Sequence, residues 1–357
     1  MITWKKIPIV NIYRGGTLRD TFLKACRGIK TDYTPVWFMR QAGRYMPEYQ
    51  KIRQKYDFLT MCKTPEISVE ITMQPIRILN VDAAILFSDI LIPLEAMGLK
   101  IDFIDNIGPK VTPSVKTGDH LGYLKNFELE KIEFVFKTIK ILIKELDVPL
   151  IGFSASPFTL ATYVIEGGSS KDFVDTKRFM FSEPEIFHNL METLTEATFI
   201  YLNEQIKAGV HAIQIFDTWA GILSPFDYEI FCKPYVKKII ENLKRNVPII
   251  YFCPNLAGLA KHINDLISDV ISLDWRINLR EATKLISDKV IQGNLDPLTL
   301  LGSEEELFKR AELILRDGRF AKSHIFNLGH GVNINTSVER LKKLVDFIHE
   351  FKFEGEV

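Results

Sequence analysis

Thr34-Pro35-Val36-Trp37-Phe38-Met39-Arg40-Gln41-Ala42-Gly43-Arg44 reads as a short, β-rich apolar strand that runs directly into two arginines. An open doubly wound sheet normally carries a glycine-rich phosphate turn after its first strand. Gly43 is the one glycine here, which points away from that architecture. Working outward, seven further apolar runs have the same form: Ala83–Phe87, Pro149–Phe153, Ala212–Phe216, Pro248–Phe252, Val270–Leu273, Val290–Gly293 and His324–Leu328. Each is flanked by turn residues and followed by a segment of helical periodicity. Val36 to His324 spans 288 residues over seven intervals, about 41 per βα unit, which suits parallel strands joined by helical crossovers. The expectation is an α/β fold, a single-domain (β/α)8 TIM barrel.

The longest interval holds Leu99–Val115, rich in Gly, Pro and Asp, and reads as a β-excursion. Thr64-Pro65, Ser224-Pro225 and Asp296-Pro297 each place a capping side chain before a proline at the first helical position. Ser182 with Glu185 and Thr336 with Glu339 have capping-box spacing. Between Lys131 and Leu146 the apolar residues Ile132, Val135, Phe136, Ile139, Leu142 and Ile143 form one helical face. No low-complexity linker divides the chain, so residues 18–357 are expected to form one barrel domain behind an N-terminal extension, residues 1–17.

Composition narrows the function classes. The 357 residues carry 45 basic and 45 acidic side chains, so no long-range field draws nucleic acid or anionic lipid. An anionic ligand must be met by locally placed cations. Cys26, Cys62, Cys232 and Cys253 show neither C-x-x-C nor zinc-ligand spacing and read as reduced thiols. No apolar run approaches the roughly 18 residues of a membrane span, and the N-terminus leads into no signal-peptide core. A cytoplasmic protein is expected.

Barrel enzymes place their chemistry at the C-terminal ends of the strands. Those positions hold Arg40 and Arg44, Ser88 and Asp89, Ser154 to Ser156, Asp217 and Thr218, Cys253 and Asn255, Asp274 and Arg276, Asn294 and Asp296, and His330. If the segment after the first strand turns helically, Arg40 and Arg44 project from one face, and two planar forks suit a ligand with several carboxylates or phosphates. The competing reading is a surface pair tied to acids such as Glu48. Asp89 ends an apolar strand, where a lone carboxylate needs a stabilising partner; a helix cap or an internal ion pair would serve equally well. His330 lies between Gly329 and Gly331, which let the backbone approach a ligand closely. His211 and His324 read as core or edge histidines, and Tyr163 by itself reads as packing.

The run Thr34 to Tyr49 closely resembles the signature of the uroporphyrinogen decarboxylase family. Phe87-Ser88-Asp89-Ile90-Leu91, Pro157 to Tyr163, Gln214 to Gly221, Leu273-Asp274-Trp275, Gln292 to Pro297 and Phe326 to Gly331 match it too. The resemblance runs from about Leu18 to near the C-terminus. It implies a (β/α)8 barrel, a homodimer, no metal or organic cofactor, and loss of four acetate carboxyls from uroporphyrinogen to give coproporphyrinogen. By motif it implies substrate contacts at Arg40, Gln41, Ala42, Gly43, Arg44, Asp89, Tyr163, Thr218 and His330, with Asp89, Arg40 and Arg44 catalytic. The sequence departs from the family pattern at Cys253-Pro254-Asn255 and at Val332 to Thr336.

The implied chemistry suits these residue types. A pyrrole acetate loses carbon dioxide readily once the ring carbon is protonated and the iminium so formed can take up the electrons. A carboxylate at Asp89 would accept the pyrrole N–H groups and offset the developing cation. Arg40 and Arg44 would hold side-chain carboxylates, with Tyr163, Thr218 and His330 orienting the substrate. Two rivals share the barrel. A zinc-dependent corrinoid methyltransferase would use His-x-Cys after the fifth strand and a later cysteine; Tyr251-Phe252-Cys253 stands there, and no cysteine follows. A non-catalytic tetrapyrrole-binding protein would be expected to lack Asp89 or the arginine pair.

Overall fold

Alternating apolar runs and helices fold into a curled parallel sheet ringed by helices, as seen in a computed structural model that describes residues 18–104, 107–244 and 246–353. The expected extension, residues 1–17, lies outside the described residues. Chain order gives β1 (Ala84–Ile85), β2 (Lys100–Ile104), β3 (Gly108–Thr112), β4 (Leu150–Ala155), β5 (Ala212–Phe216), β6 (Ile249–Phe252), β7 (Val270–Ser272), β8 (Val290–Gln292) and β9 (His324–Ile325). Seven pair in parallel in the order β1-β4-β5-β6-β7-β8-β9. The antiparallel hairpin β2-β3 is the β-excursion expected at Leu99–Val115.

The first expected strand, Pro35–Met39, is reduced to a single parallel bridge between Val36 and Phe326. That bridge still closes the ring. The Phe326 N–H donates to the Pro35 carbonyl at 2.8 Å on one side, and the Asp82 N–H donates to the Val36 carbonyl at 2.8 Å on the other. Side chains replace the rest of the ladder: Asp82 Oδ2 accepts the Val36 N–H at 2.8 Å, and Asn327 Oδ1 accepts the Met39 N–H at 3.1 Å. The backbone donors are satisfied, so no regular strand is needed. The second run is likewise trimmed to two residues, and the Phe87 N–H goes to Thr72 Oγ1 at 3.0 Å.

Asp82 serves a second purpose at this seam. Its carboxylate also accepts Tyr33 OH at 2.8 Å and lies 2.8 Å from His349 Nε2, on the C-terminal helix Val338–Glu350. One side chain thus clasps the start of the barrel to its end.

Inside the barrel Trp37 Nε1 donates to Gln292 Oε1 at 2.9 Å, and Gln292 Nε2 donates to Gln214 and to Ser272. These groups are buried, so their mutual pairing offsets desolvation and fixes Trp37 across the ring. The amphipathic run at Lys131–Leu146 forms the helix Glu133–Glu145, burying Val135, Ile139 and Leu142.

Three cap expectations change. Thr64 makes no side-chain cap bond, although Pro65 does open its helix. Ser182 ends one helix, and the next begins at Pro184 behind Glu183. Ser337, one residue beyond the expected Thr336, caps the last helix through the Arg340 N–H. Ser224 and Asp296 cap as expected, the latter opening a short 3-10 helix.

Candidate active site

The loop after Val36 is an irregular turn and not a helix, which corrects the helical basis for pairing Arg40 with Arg44. Arg40 adopts φ +61°, a left-handed conformation that tips its side chain out of any regular helical face. Both guanidinium groups are nevertheless exposed, and among the described residues neither forms an ion pair, with Glu48 or any other acid. Gln41 points the opposite way. Its buried side chain accepts the Phe38 N–H at 3.1 Å and donates to the Ala83 carbonyl at 3.1 Å, while its own carbonyl accepts Tyr45 OH at 2.5 Å. Gln41 therefore braces the loop with its side chain, and Arg40 and Arg44 carry the loop's outward charge.

Asp89 follows β1 at the mouth of the barrel, half-buried, with one oxygen accepting the Leu91 N–H at 2.8 Å. The cap reading is thus partly realised, since the short helix Ile92–Ala96 starts just beyond. Burial pushes its carboxyl up to about 6, against the pull of the Leu91 N–H and the nearby Arg40 charge, with Glu95 adding a smaller upward push. Among the described residues no side chain forms a salt bridge with Asp89.

Tyr163 is brought here by the helix Pro157–Glu166, which Ser156 caps through the Thr159 N–H. It lies 6.1 Å from Trp219, ring to ring, and burial pushes its phenol up, with Asp89 adding to the rise and Arg40 opposing it. Tyr163, Asp89 and Arg40 thus share one electrostatic neighbourhood. Thr218 lies half-buried between Asp217 and Trp219 at the end of β5.

Asp217 belongs to the support and not to the surface. It is fully buried and accepts from Ser156 Oγ, from Thr159 Oγ1 at 3.1 Å, from Cys232 Sγ at 3.1 Å and from Tyr251 OH at 2.8 Å. Thr159 Oγ1 also accepts the Trp219 N–H at 3.3 Å. Burial pushes the Asp217 carboxyl up while the four donors hold it down. The cluster ties the helix of Tyr163 to the loop of Thr218. The clue available in the sequence was the recurrence of small hydroxyls at Ser156 and Thr159, seven and four residues before Tyr163.

His330 sits half-buried with its ring 6.5 Å from Phe252. Burial, helped by the charges of Arg40 and Arg276, lowers it to about 4, so it is a neutral hydrogen-bonding ring at neutral pH. The flanking glycines make room for protein and not for a ligand. A Cβ on Gly329 would meet the Trp275 N at 2.5 Å, and one on Gly331 would strike Arg40 Cδ. The two rim loops and Arg40 therefore interlock.

Of the other rim residues, Ser154, Ser156, Cys253, Asp274 and Asn294 are buried, and Asp296 caps the Leu298 N–H. His211 accepts the Leu150 N–H and His324 pairs with the Gly293 carbonyl at 2.8 Å, both as packing histidines. Arg40, Arg44, Asp89, Tyr163, Thr218 and His330 remain as side chains at the mouth, with Arg276 exposed after β7. They offer cations at the edge, a carboxylate deeper in and neutral hydrogen-bonding groups between.

A family model described as uroporphyrinogen decarboxylase (URO-D) matches residues 17–351. A uroporphyrinogen decarboxylase from Thermodesulfovibrio yellowstonii is 72% identical over 336 residues, covering 94% of this chain and 99% of the relative. One from Desulfotalea psychrophila is 51% identical, covering 93% and 99%. Among solved structures, a methyltransferase from Methanosarcina mazei superposes with a TM-score of 0.77 at 21% identity, covering 94% of this chain and 99% of that one. That likeness is one of fold.

Proposed function

Because the chain belongs to the uroporphyrinogen decarboxylase family and is a carboxy-lyase of tetrapyrrole biosynthesis, we propose that it converts uroporphyrinogen III to coproporphyrinogen III, releasing one carbon dioxide from each of four acetate side chains. The observation that carries this reading is a half-buried Asp89 behind the exposed Arg40, with Tyr163 in the same neighbourhood.

Each cycle begins with a proton added to a pyrrole ring carbon, which places positive charge on the ring nitrogen. The ionised Asp89 accepts the pyrrole N–H groups and stabilises that cation in surroundings where water screens it poorly. The carbon–carboxyl bond then breaks, its electron pair forms an exocyclic methylene and neutralises the iminium nitrogen, and a second proton converts that methylene to methyl. The first proton leaves the ring carbon as that happens, so the net change is one proton for one carbon dioxide. Arg40 and Arg44 hold substrate carboxylates, and Tyr163, Thr218 and His330 orient the macrocycle by hydrogen bonding. The protonated pyrrole is its own electron sink, so the sequence of steps calls on no metal or organic cofactor.

Assembly as a homodimer and a cytoplasmic location belong to the same reading and rest on family membership. Among the described residues no helix is long and apolar enough to cross a membrane. The deciding experiment is anaerobic incubation of the purified protein with uroporphyrinogen, followed by counting of product carboxylates. Loss of four is expected, and retention of all of them would overturn the proposal.

A further inference from the structure

A third guanidinium stands on the same rim, at the end of β7. Arg276 follows β7 and is half-exposed along its side chain. Its Nη1 lies 2.5 Å from Oδ2 of Asp274, a carboxylate with no exposed surface, and its guanidinium lies 4.1 Å over the Trp275 ring. Asp274 Oδ2 also accepts the Asn255 N–H at 3.0 Å, so the anchoring acid is itself held by the loop after β6. The backbone of Gly329 presses against Trp275 and Asp274 closely enough that a Cβ would meet the Trp275 N at 2.5 Å. Loop, ring and acid therefore fix where Arg276 stands relative to His330. The charges of Arg40 and Arg276 both lower the His330 ring, so the three groups share one neighbourhood.

We propose that Arg276 is a specificity-determining residue that binds a peripheral carboxylate of the substrate, a different one from those held by Arg40 and Arg44. This rests on the decarboxylase reading above. A guanidinium offers five N–H donors in a fixed plane, and the bond to Asp274 engages one edge. The side chain is half-exposed beside the Trp275 ring, so its remaining donors are open to a two-point bond with a carboxylate. Asp274 also neutralises part of the charge, which makes Arg276 a weaker attractor than the unpaired Arg40. Its contribution is placement: a macrocycle bearing carboxylates around its whole rim meets a third guanidinium held at a fixed place, and a ligand with fewer carboxylates leaves it unused.

The test compares wild type with Arg276→Ala and Arg276→Lys in steady-state turnover of uroporphyrinogen, with the His330 ring resonances titrated by NMR in each. Arg276→Ala is expected to raise KM about three- to tenfold with kcat nearly unchanged, the pattern of a lost binding contact. Arg276→Lys, which keeps the charge and loses the planar fork, should recover part of that loss. In the alanine variant His330 should titrate higher than in wild type, because one depressing cation is gone. An unchanged KM together with an unmoved His330 would overturn the proposal. A fall in kcat at constant KM would also overturn it, by making Arg276 a support of the catalytic step. If the alanine variant does not fold, the lysine variant decides alone: a raised KM supports the assignment, and wild-type KM removes it. Failure of wild type itself to release carbon dioxide is a different result and brings down the decarboxylase reading first.

Discussion

Asp89 faces two opposing demands, and its surroundings expose the conflict. Burial raises its carboxyl to about 6, whereas the proposed chemistry uses the ionised form. In the free enzyme, kcat/KM should therefore rise with pH through an acid limb near 6, measurable by steady-state rates between pH 5 and 8. The stability consequence has the opposite sign. A carboxyl whose folded value exceeds its unfolded one of about 3.9 binds more protons when folded, so its contribution to stability is lost as pH climbs from about 4 to 6. Asp89→Asn should consequently lower kcat by about 10²- to 10³-fold with little change in KM, yet melt no lower than wild type at pH 7. Full activity in that variant would remove the electrostatic role. Arg44→Ala should mainly raise KM, and a KM equal to wild type would count against carboxylate clamping. Sequence made both residues visible as rim groups but left the role of Asp89 open for a physical reason. A carboxylate that accepts a helix-start N–H can at the same time present its other oxygen to a ligand. Gln41 was less legible, because the motif that names it does not say that its side chain turns inward to brace Ala83.

At the scale of elements, the eight apolar runs were readable because burial on both faces demands continuous hydrophobic strands. Their lengths were not. Pro35–Met39 contracts to one bridge because Asp82 and Asn327 supply side-chain acceptors where a neighbouring strand would otherwise stand. Such partners lie 46 and 288 residues away in sequence, beyond the reach of any local pattern. The same holds for the Asp217 cluster, which joins β5, β6 and two helices. Asn327 gives a direct test. Its side-chain oxygen accepts the N–H groups of both Met39 and Leu328, fixing the Arg40 loop against the His330 loop. Asn327→Ala orphans two buried donors and should cost about 1–3 kcal/mol for each in denaturant unfolding. KM should rise in the same variant as the two loops lose registration. A variant of wild-type stability would show that water replaces the amide.

The whole molecule carries no net charge, yet its proposed substrate is a polyanion. Among the described residues Arg40 and Arg44 form no ion pair, while basic groups such as Arg77, Lys137, Arg310 and Lys343 are paired with acids on the outer surface. Capture should therefore depend weakly on salt at long range. Raising ionic strength from 0.01 to 0.1 M shortens the Debye length from about 30 to about 10 Å, and kcat/KM should fall by less than roughly tenfold. A steeper fall would reveal a steering field that the balanced composition does not supply. The Asp82 clasp carries a consequence of another kind, one of timing. Arg40 and Asp89 leave the ribosome early, but the seam that sets them against His330 shuts only when His349 has been made, near the far end of the chain. At synthesis rates of about 5–20 residues per second the wait is roughly 15–60 s. Throughout it a nascent chain has the arginines proposed to bind the substrate but no completed mouth, so the proposed grip on the macrocycle arrives only once the helix of His349 has been made.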